Sequence, residues 1–146
     1  MLKRLQAGEL EDGLPAAFEA LAQTSVPDGV DVDLTFSGDG SAIPKHVGVQ
    51  VYLVMREALR NAVRHSGCAR LRVRLEVGNG EIFGHVEDDG SGVDPEAVGT
   101  ASPSWGVGLR SMAERAEMLG GELRVASRPG AGTRVEVRVP PTWRRP

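Results

Sequence analysis

The chain has 146 residues, close to a single domain of about 150 residues, and its charged fraction of 25% is typical of a folded protein. Its 20 acidic and 17 basic residues give a net charge of -3, so no bulk positive potential attracts nucleic acid or an anionic membrane. A single cysteine and three scattered histidines exclude an internal disulfide and a zinc site. No apolar run reaches the roughly 20 residues of a membrane span, and no signal peptide is recognisable. We therefore expect a cytoplasmic domain.

The spacing of apolar residues predicts three helices and five strands. A short helix is predicted over residues 14–24, where Pro15 suits the first turn, and a long one over residues 45–65. The third helix is expected after a loop rich in Gly, Ser and Pro that spans residues 90–105, and Gly120 and Gly121 end it. Period-two alternation predicts the strands, which lie near residues 30–36, 71–77, 82–87, 123–125 and 135–139.

The fold class follows from the alternation of the strands. Strands with one apolar side belong to a sheet covered on one face only, whereas a parallel sheet covered on both faces has continuous apolar runs. We predict a two-layer α/β sandwich, a mixed sheet of about five strands with three helices on one face. The domain is expected over residues 14–140, between the end of an upstream linker or helix (1–13) and a tail (141–146). The solvated sheet face is expected to carry five arginines, at positions 70, 72, 74, 134 and 138.

The long helix carries one candidate site. At about 100° per residue, Glu57 and Asn61 lie four apart on the margin of its apolar stripe, while Arg56, Arg60 and Arg64 lie on the wet side. One interpretation is a polar pair at a helix edge. The other is a Mg²⁺ site, because this ion takes one or two oxygen ligands from protein together with substrate phosphates and water.

Two glycine-containing segments carry the other candidates. Asp88-Asp89-Gly90-Ser91-Gly92 stands where a strand ends, and the segment is either a common turn or an adenine pocket. In the second case a buried carboxylate accepts from the exocyclic amine of adenine and rejects the carbonyl of guanine. The second segment, Trp105-Gly106-Val107-Gly108-Leu109, runs into a helix, whose exposed N-terminal amides are suited to phosphate. Glycine before a helix is also frequent without any ligand.

In order and spacing, these segments resemble a known family. Four segments resemble the N box and glycine boxes of the gyrase/chaperone/histidine-kinase/mismatch-repair ATPase superfamily. They are Arg56 to His65, Asp88 to Gly92, Gly106 to Leu109, and Gly132-Thr133 before the last strand. The sequence pattern Glu-Ala-Leu-x-Asn-Ala-Val-x-His is most similar to that of the catalytic ATP-binding domain of two-component sensor histidine kinases of the nitrate-sensor type. The resemblance covers roughly residues 14–140.

The resemblance implies a role for each matching residue. Asn61 is expected to bind Mg²⁺ that bridges the triphosphate of ATP, and Glu57 to support that metal through water or to polarise the attacking group. Arg64 and His65 are expected near the phosphates, although His65 equally suits capping of the helix end. At the base end, Asp88 is expected to hold the adenine amine, with Thr133 bonding through water. Gly90 and Gly92 are expected to shape the pocket, and Gly106 and Gly108, followed by Leu109, to hinge a mobile lid.

The same family carries its phospho-acceptor histidine on a dimeric helical hairpin. None of His46, His65 and His85 stands in the Arg-x-x-x-Glu-Leu-His context of that hairpin. The resemblance therefore implies the catalytic part of a protein-histidine kinase, with the acceptor on a separate domain or chain and a response regulator downstream. Two alternatives stay open: an anti-sigma-factor-like serine kinase of the same fold, and a non-enzymatic nucleotide-binding module.

Overall fold

The computed structural model describes residues 13–38, 43–65, 67–90, 103–127 and 130–141. Within these ranges the chain forms three helices and five strands, which we number in chain order: α1 (Leu14–Ser25), β1 (Asp31–Gly38), α2 (Lys45–His65), β2 (Arg70–Gly78), β3 (Glu81–Asp88), α3 (Pro103–Met118), β4 (Glu122–Ser127) and β5 (Thr133–Val139). None of the helices in these ranges is long and apolar enough to cross a bilayer.

The helices agree with the prediction except at one boundary. Helix α1 has its proline in the first turn, and α2 has the predicted bounds. Helix α3 begins at Pro103, inside the segment that we predicted to be a loop as far as Trp105. Proline suits a helix start because its fixed φ and missing N–H cost nothing there, so the boundary moves toward the N-terminus.

The sheet has the order β1-β2-β3-β5-β4. Strands β1 and β2 are parallel, and the other neighbours are antiparallel, which confirms a mixed sheet. The tight turn between β2 and β3 places Asn79 at φ 54° and Gly80 at φ 82°. Positive φ at both central residues is the geometry that joins two twisted strands with the shortest loop.

All three helices pack on one face of this sheet. Helix α1 contacts β1, α2 contacts β3 and β5, and α3 contacts β4 and β5. Alternate residues of β2, β3 and β5 point into this layer and are mostly buried, and those of β1 and β4 are half-buried. The largest buried side chains that the helices contribute include Phe18, Met55, Leu59 and Met112. The two-layer α/β sandwich is therefore confirmed.

The opposite face of the sheet is open and charged, as predicted for its arginines. Charges of opposite sign alternate across neighbouring strands, with Arg72 opposite Glu87 and Glu87 opposite Arg134. Glu87 lies 3.8 Å from the Arg72 guanidinium and 3.7 Å from that of Arg134. Such exposed pairs each contribute little to stability. This face stays solvated because its charges are matched along the strands.

Candidate functional site

One row of the helix-facing side of the sheet is polar. Asp88 on β3 lies opposite Thr133 on β5, and Thr133 lies opposite Ser127 on β4. Asp88 and Thr133 are buried and Ser127 is half-buried. The next row inward is apolar in every strand, with the residues Leu34, Val73, Val86, Val135 and Val125. The polar row therefore lies at one end of the hydrophobic core.

Asp88 and Asp89 follow each other at the end of β3 and have different surroundings. Asp88 is 7% exposed, and its Oδ1 accepts a 2.8 Å hydrogen bond from the amide of Gly90. Asp89 is exposed, and its Oδ1 accepts from the amides of Ala69 and Arg70 at 2.9 Å each. These backbone hydrogen bonds hold the pKa of the Asp89 carboxyl below its usual range. Asp89 thus secures the start of β2, whereas Asp88 points a buried acceptor toward the helices.

Gly132 allows the backbone before β5 to approach the end of β3. It has φ 80°, and a Cβ at this position would collide with the backbone carbonyl of Asp88. Ser127 Oγ donates to the carbonyl of Gly132 at 3.1 Å and lies 2.7 Å from the hydroxyl of Thr133. A cleft of about 480 Å³ opens at this end of the sheet, and its walls include Asp88 and Thr133 together with side chains of the open face, among them Arg72, Glu87 and Arg134.

Helix α2 packs on β3 and β5, and it carries the second group of candidates. Asn61 is 0% exposed, and within the described ranges neither its Oδ1 nor its Nδ2 has a hydrogen-bond partner. An unsatisfied buried amide costs free energy, and in native proteins it points to a missing ligand or ion. Its amide oxygen is a ligand type that Mg²⁺ accepts. Asn61, with the half-buried Glu57 one turn before it, therefore fits a divalent-cation site completed by a phosphate ligand.

Helix α3 lies against this pair through a glycine. A Cβ built on Gly108 would lie 2.8 Å from Glu57 Oε2 and 3.2 Å from Asn61 Nδ2. A hydrogen bond of 2.8 Å from Arg115 Nη1 to Gln50 Oε1 also joins α3 to α2. Gly106 and Gly108 both lie in the first two turns of α3, and their expected role as the hinge of a lid stays a prediction. The role of Gly108 here is close packing of its α-carbon on the polar pair.

The remaining predicted residues are only partly described. Leu109 is half-buried against the core beside Gly108, and Arg64 is exposed near the end of α2. Gly90 lies at the end of the described segment, where its amide donates to Asp88. Gly92, residues 94–102 of the lid predicted over residues 94–105, and the side chain of His65 lie outside the described residues.

Sequence reasoning missed one residue of this group, Ser127. A signal was present, because Leu123, Val125 and Ser127 share one side of β4, and a serine breaks the apolar alternation beside Thr133. The strand pairing was needed to recognise it, since only the register places Ser127 beside Thr133.

Comparison with known proteins identifies relatives of this arrangement. The family model of histidine kinase-, DNA gyrase B-, and HSP90-like ATPases matches residues 46–142. The sensor histidine kinase LiaS of Bacillus subtilis (strain 168) is 36% identical over 109 residues, which cover 75% of this chain and 29% of LiaS. The signal transduction histidine-protein kinase/phosphatase DegS of Brevibacillus brevis is 30% identical over 114 residues, 78% of this chain and 28% of DegS. The chain thus spans less than a third of the length of these two relatives.

Solved structures share the fold. The histidine kinase domain of the blue-light activated histidine kinase EL346 of Erythrobacter litoralis superposes with a TM-score of 0.71 at 23% identity, covering 97% of this chain and 71% of that domain. A structure of the EL346 kinase itself gives a TM-score of 0.68 at 24% identity, over 84% of this chain and 38% of that one.

Proposed function

Since this chain belongs to the family of histidine kinase-, DNA gyrase B-, and HSP90-like ATPases, we propose that it is the catalytic ATP-binding domain of a sensor histidine kinase. It transfers the γ-phosphate of ATP to a histidine on a separate dimerisation domain or chain, from which a response regulator is phosphorylated. We place it in the cytoplasm, where ATP is available. The observation that carries the proposal is the buried, unsatisfied amide of Asn61 beside Glu57. The finer assignment to the nitrate-sensor type and the bounds 14–140 stay predictions.

The polar row at the end of the sheet is the base end of the proposed site. The carboxylate of Asp88 accepts a hydrogen bond from the exocyclic amine of adenine, and Thr133 bonds beside it, directly or through water. Guanine has a carbonyl at that ring position, which would face an acceptor without a proton between them. A polar site of this kind rejects the wrong base strongly, because its buried groups are then left unpaired. Gly90 and Gly92 leave room for the base near the backbone.

Helix α2 forms the phosphate-binding end of the proposed site. Asn61 would hold Mg²⁺ through its amide oxygen, Glu57 would support that ion through water or polarise the attacking nitrogen, and the ion would neutralise charge on the transferred phosphate. We expect Arg64 and His65, at the end of the same helix, to lie near the phosphates. Gly106, Gly108 and Leu109 bring the start of α3 to this end.

Transfer of the phosphate then depends chiefly on how the reacting groups are positioned. A nitrogen of the acceptor imidazole attacks the γ-phosphorus, its bond to phosphorus forms as the bond to the β,γ-bridging oxygen breaks, and ADP leaves with that oxygen. His85 is unsuited to be the acceptor, because it is only 6% exposed and lies on the open face of the sheet, opposite the helices. Since neither His46 nor His65 stands in the acceptor sequence context, we propose that the acceptor is supplied from outside this chain.

Labelling with γ-labelled ATP tests the proposal. The isolated chain should incorporate no label, and addition of its cognate dimeric helical hairpin should produce acid-labile, alkali-stable phosphate on that hairpin alone. An Asn61→Asp variant serves as the inactive control. Label on His46, His65 or His85 of this chain would contradict the separate acceptor. Acid-stable label on a serine of a small partner would support the anti-sigma-like kinase, and ATP binding without any acceptor would support the binding module.

A further inference from the structure

Ser127 joins the base end of the site through two hydrogen bonds. Its Oγ lies 3.1 Å from the carbonyl oxygen of Gly132 and 2.7 Å from Oγ1 of Thr133. Both distances are within the normal range for hydroxyl hydrogen bonds. Ser127 is half-buried on the helix-facing side of β4, next to the buried Thr133 in the sheet register.

The direction of these two hydrogen bonds follows from the fact that each hydroxyl group has a single proton to donate. A carbonyl oxygen only accepts, so the single hydroxyl proton of Ser127 is donated to Gly132. With the Ser127 proton assigned to Gly132, we assign the proton in the 2.7 Å contact between the two hydroxyls to Thr133, which donates it to Ser127. As a result Oγ1 of Thr133 keeps only lone pairs for any further partner. Its neighbour Asp88 offers a carboxylate, which also only accepts.

We infer that Ser127 is a specificity-determining residue, which orients the Thr133 hydroxyl so that Asp88 and Thr133 both present hydrogen-bond acceptors to the base. The inference rests on the proposed ATP site. The two N–H groups of a 6-aminopurine match a pair of acceptors, one at Asp88 and one at Thr133. A 6-oxopurine brings an acceptor to the same place, so its 6-oxygen shares no proton with either residue.

Ser127→Ala should change which purine base the site prefers. Without the serine oxygen, the Thr133 hydroxyl is free to rotate and to donate its proton into the site, where it can bond a 6-oxo group. Inosine triphosphate is the right probe, because its base differs from adenine in carrying an oxo group at position 6 and a proton on N1. We expect the variant to bind ITP more tightly and ATP more weakly, so that the ATP/ITP affinity ratio falls about tenfold, the effect of one hydrogen bond.

Calorimetric titration of the 146-residue chain with Mg-ATP and Mg-ITP measures this ratio. Ser127→Thr keeps a hydroxyl and should restore the preference of the unmodified protein. Ser25→Ala removes another half-buried serine, at the end of α1, and should leave the ratio unchanged. Thr133→Val removes the hydroxyl through which Ser127 acts, so in that background Ser127→Ala should have no further effect on the ratio.

The outcomes separate this inference from the proposed function. If the unmodified chain does not prefer ATP, the adenine pocket itself is wrong. If it prefers ATP and Ser127→Ala leaves the ratio unchanged, or weakens ATP and ITP equally, then Ser127 has only a structural role and the inference fails. A tenfold loss of preference that persists in the Thr133→Val background would also overturn it, because the effect would not pass through Thr133.

Discussion

The α-carbon of Gly132 packs against the backbone carbonyl of Asp88, so position 132 has no space for a side chain. This contact joins the loop before β5 to the end of β3, and it sets the neighbouring Thr133 opposite the buried carboxylate. The base end of the proposed site depends on a close approach of two backbones.

We therefore expect Gly132→Ala to destabilise the protein by about 3 kcal/mol or more, since the new methyl group must displace Asp88 as well as adopt positive φ. Gly130→Ala is the matched control, because Gly130 has the same φ of 80° and a methyl group there would meet no atom of the described residues within 4 Å. That variant should lose only about 1 kcal/mol. Urea denaturation measures both, and equal losses would contradict the contact.

Asp88→Asn should remove most of the preference for ATP over GTP. The amide of asparagine can turn either its oxygen or its NH₂ toward the base, so it accepts from adenine or donates to guanine. We expect the ATP/GTP affinity ratio to fall about tenfold or more by calorimetry. Asp89→Asn is the control, since Asp89 is exposed and bonds backbone amides of the Ala69–Arg70 segment. Equal affinities of the unmodified protein for the two nucleotides would end the adenine-pocket proposal.

Asn61 should limit the stability of the nucleotide-free protein. Its two side-chain polar atoms are buried without partners among the described residues, which costs about 1–3 kcal/mol. Asn61→Leu replaces them with apolar atoms of similar volume, so we expect the free energy of unfolding to rise by about 1 kcal/mol and magnesium-dependent nucleotide binding to be lost. Asn61→Asp, which adds a charge, should lose the normal magnesium dependence while the fold survives. Wild-type magnesium dependence in both variants would show that Asn61 is only a helix-edge residue.

His85 should make the protein less stable in mild acid. Burial, and then the nearby Arg134 and Arg74, lower its pKa below 6.5, against the opposing effect of Glu87 and Glu136. The unfolded chain therefore takes up a proton near pH 6.5 while the folded protein still resists it, so stability falls as the pH drops below 6.5. Phe83, whose ring centroid lies 5.7 Å away, shields the same imidazole.

Urea denaturation at pH 7.5 and 5.5 measures this effect. His85→Gln should reduce the loss of stability between the two pH values, whereas His46→Gln, at an exposed histidine of α2, should not. If His85→Gln loses as much stability on acidification as the unmodified protein, the imidazole is not responsible.

The amino-acid sequence by itself determined the secondary-structure elements and the two-layer arrangement of sheet and helices. Local periodicity decides which residues face a core, and this alone predicts the bounds of α2 and the one-sided sheet. The candidate residues Glu57, Asn61 and Asp88 were also recognisable, because each stands in a short segment whose chemistry depends on near neighbours. The comparisons with known proteins support the family assignment made from the sequence, because the order of the family's motifs along the chain can be read without the structure.

Only the tertiary structure decided how these segments meet. Strand register is a long-range property, so the row formed by Asp88, Thr133 and Ser127 could not be predicted from three separate alternating patterns. The packing of α3 on α2, which places Gly108 against Glu57 and Asn61, is likewise a long-range property. The burial of Asn61 without partners has the same origin, because the environment of an amide is set by what packs over it.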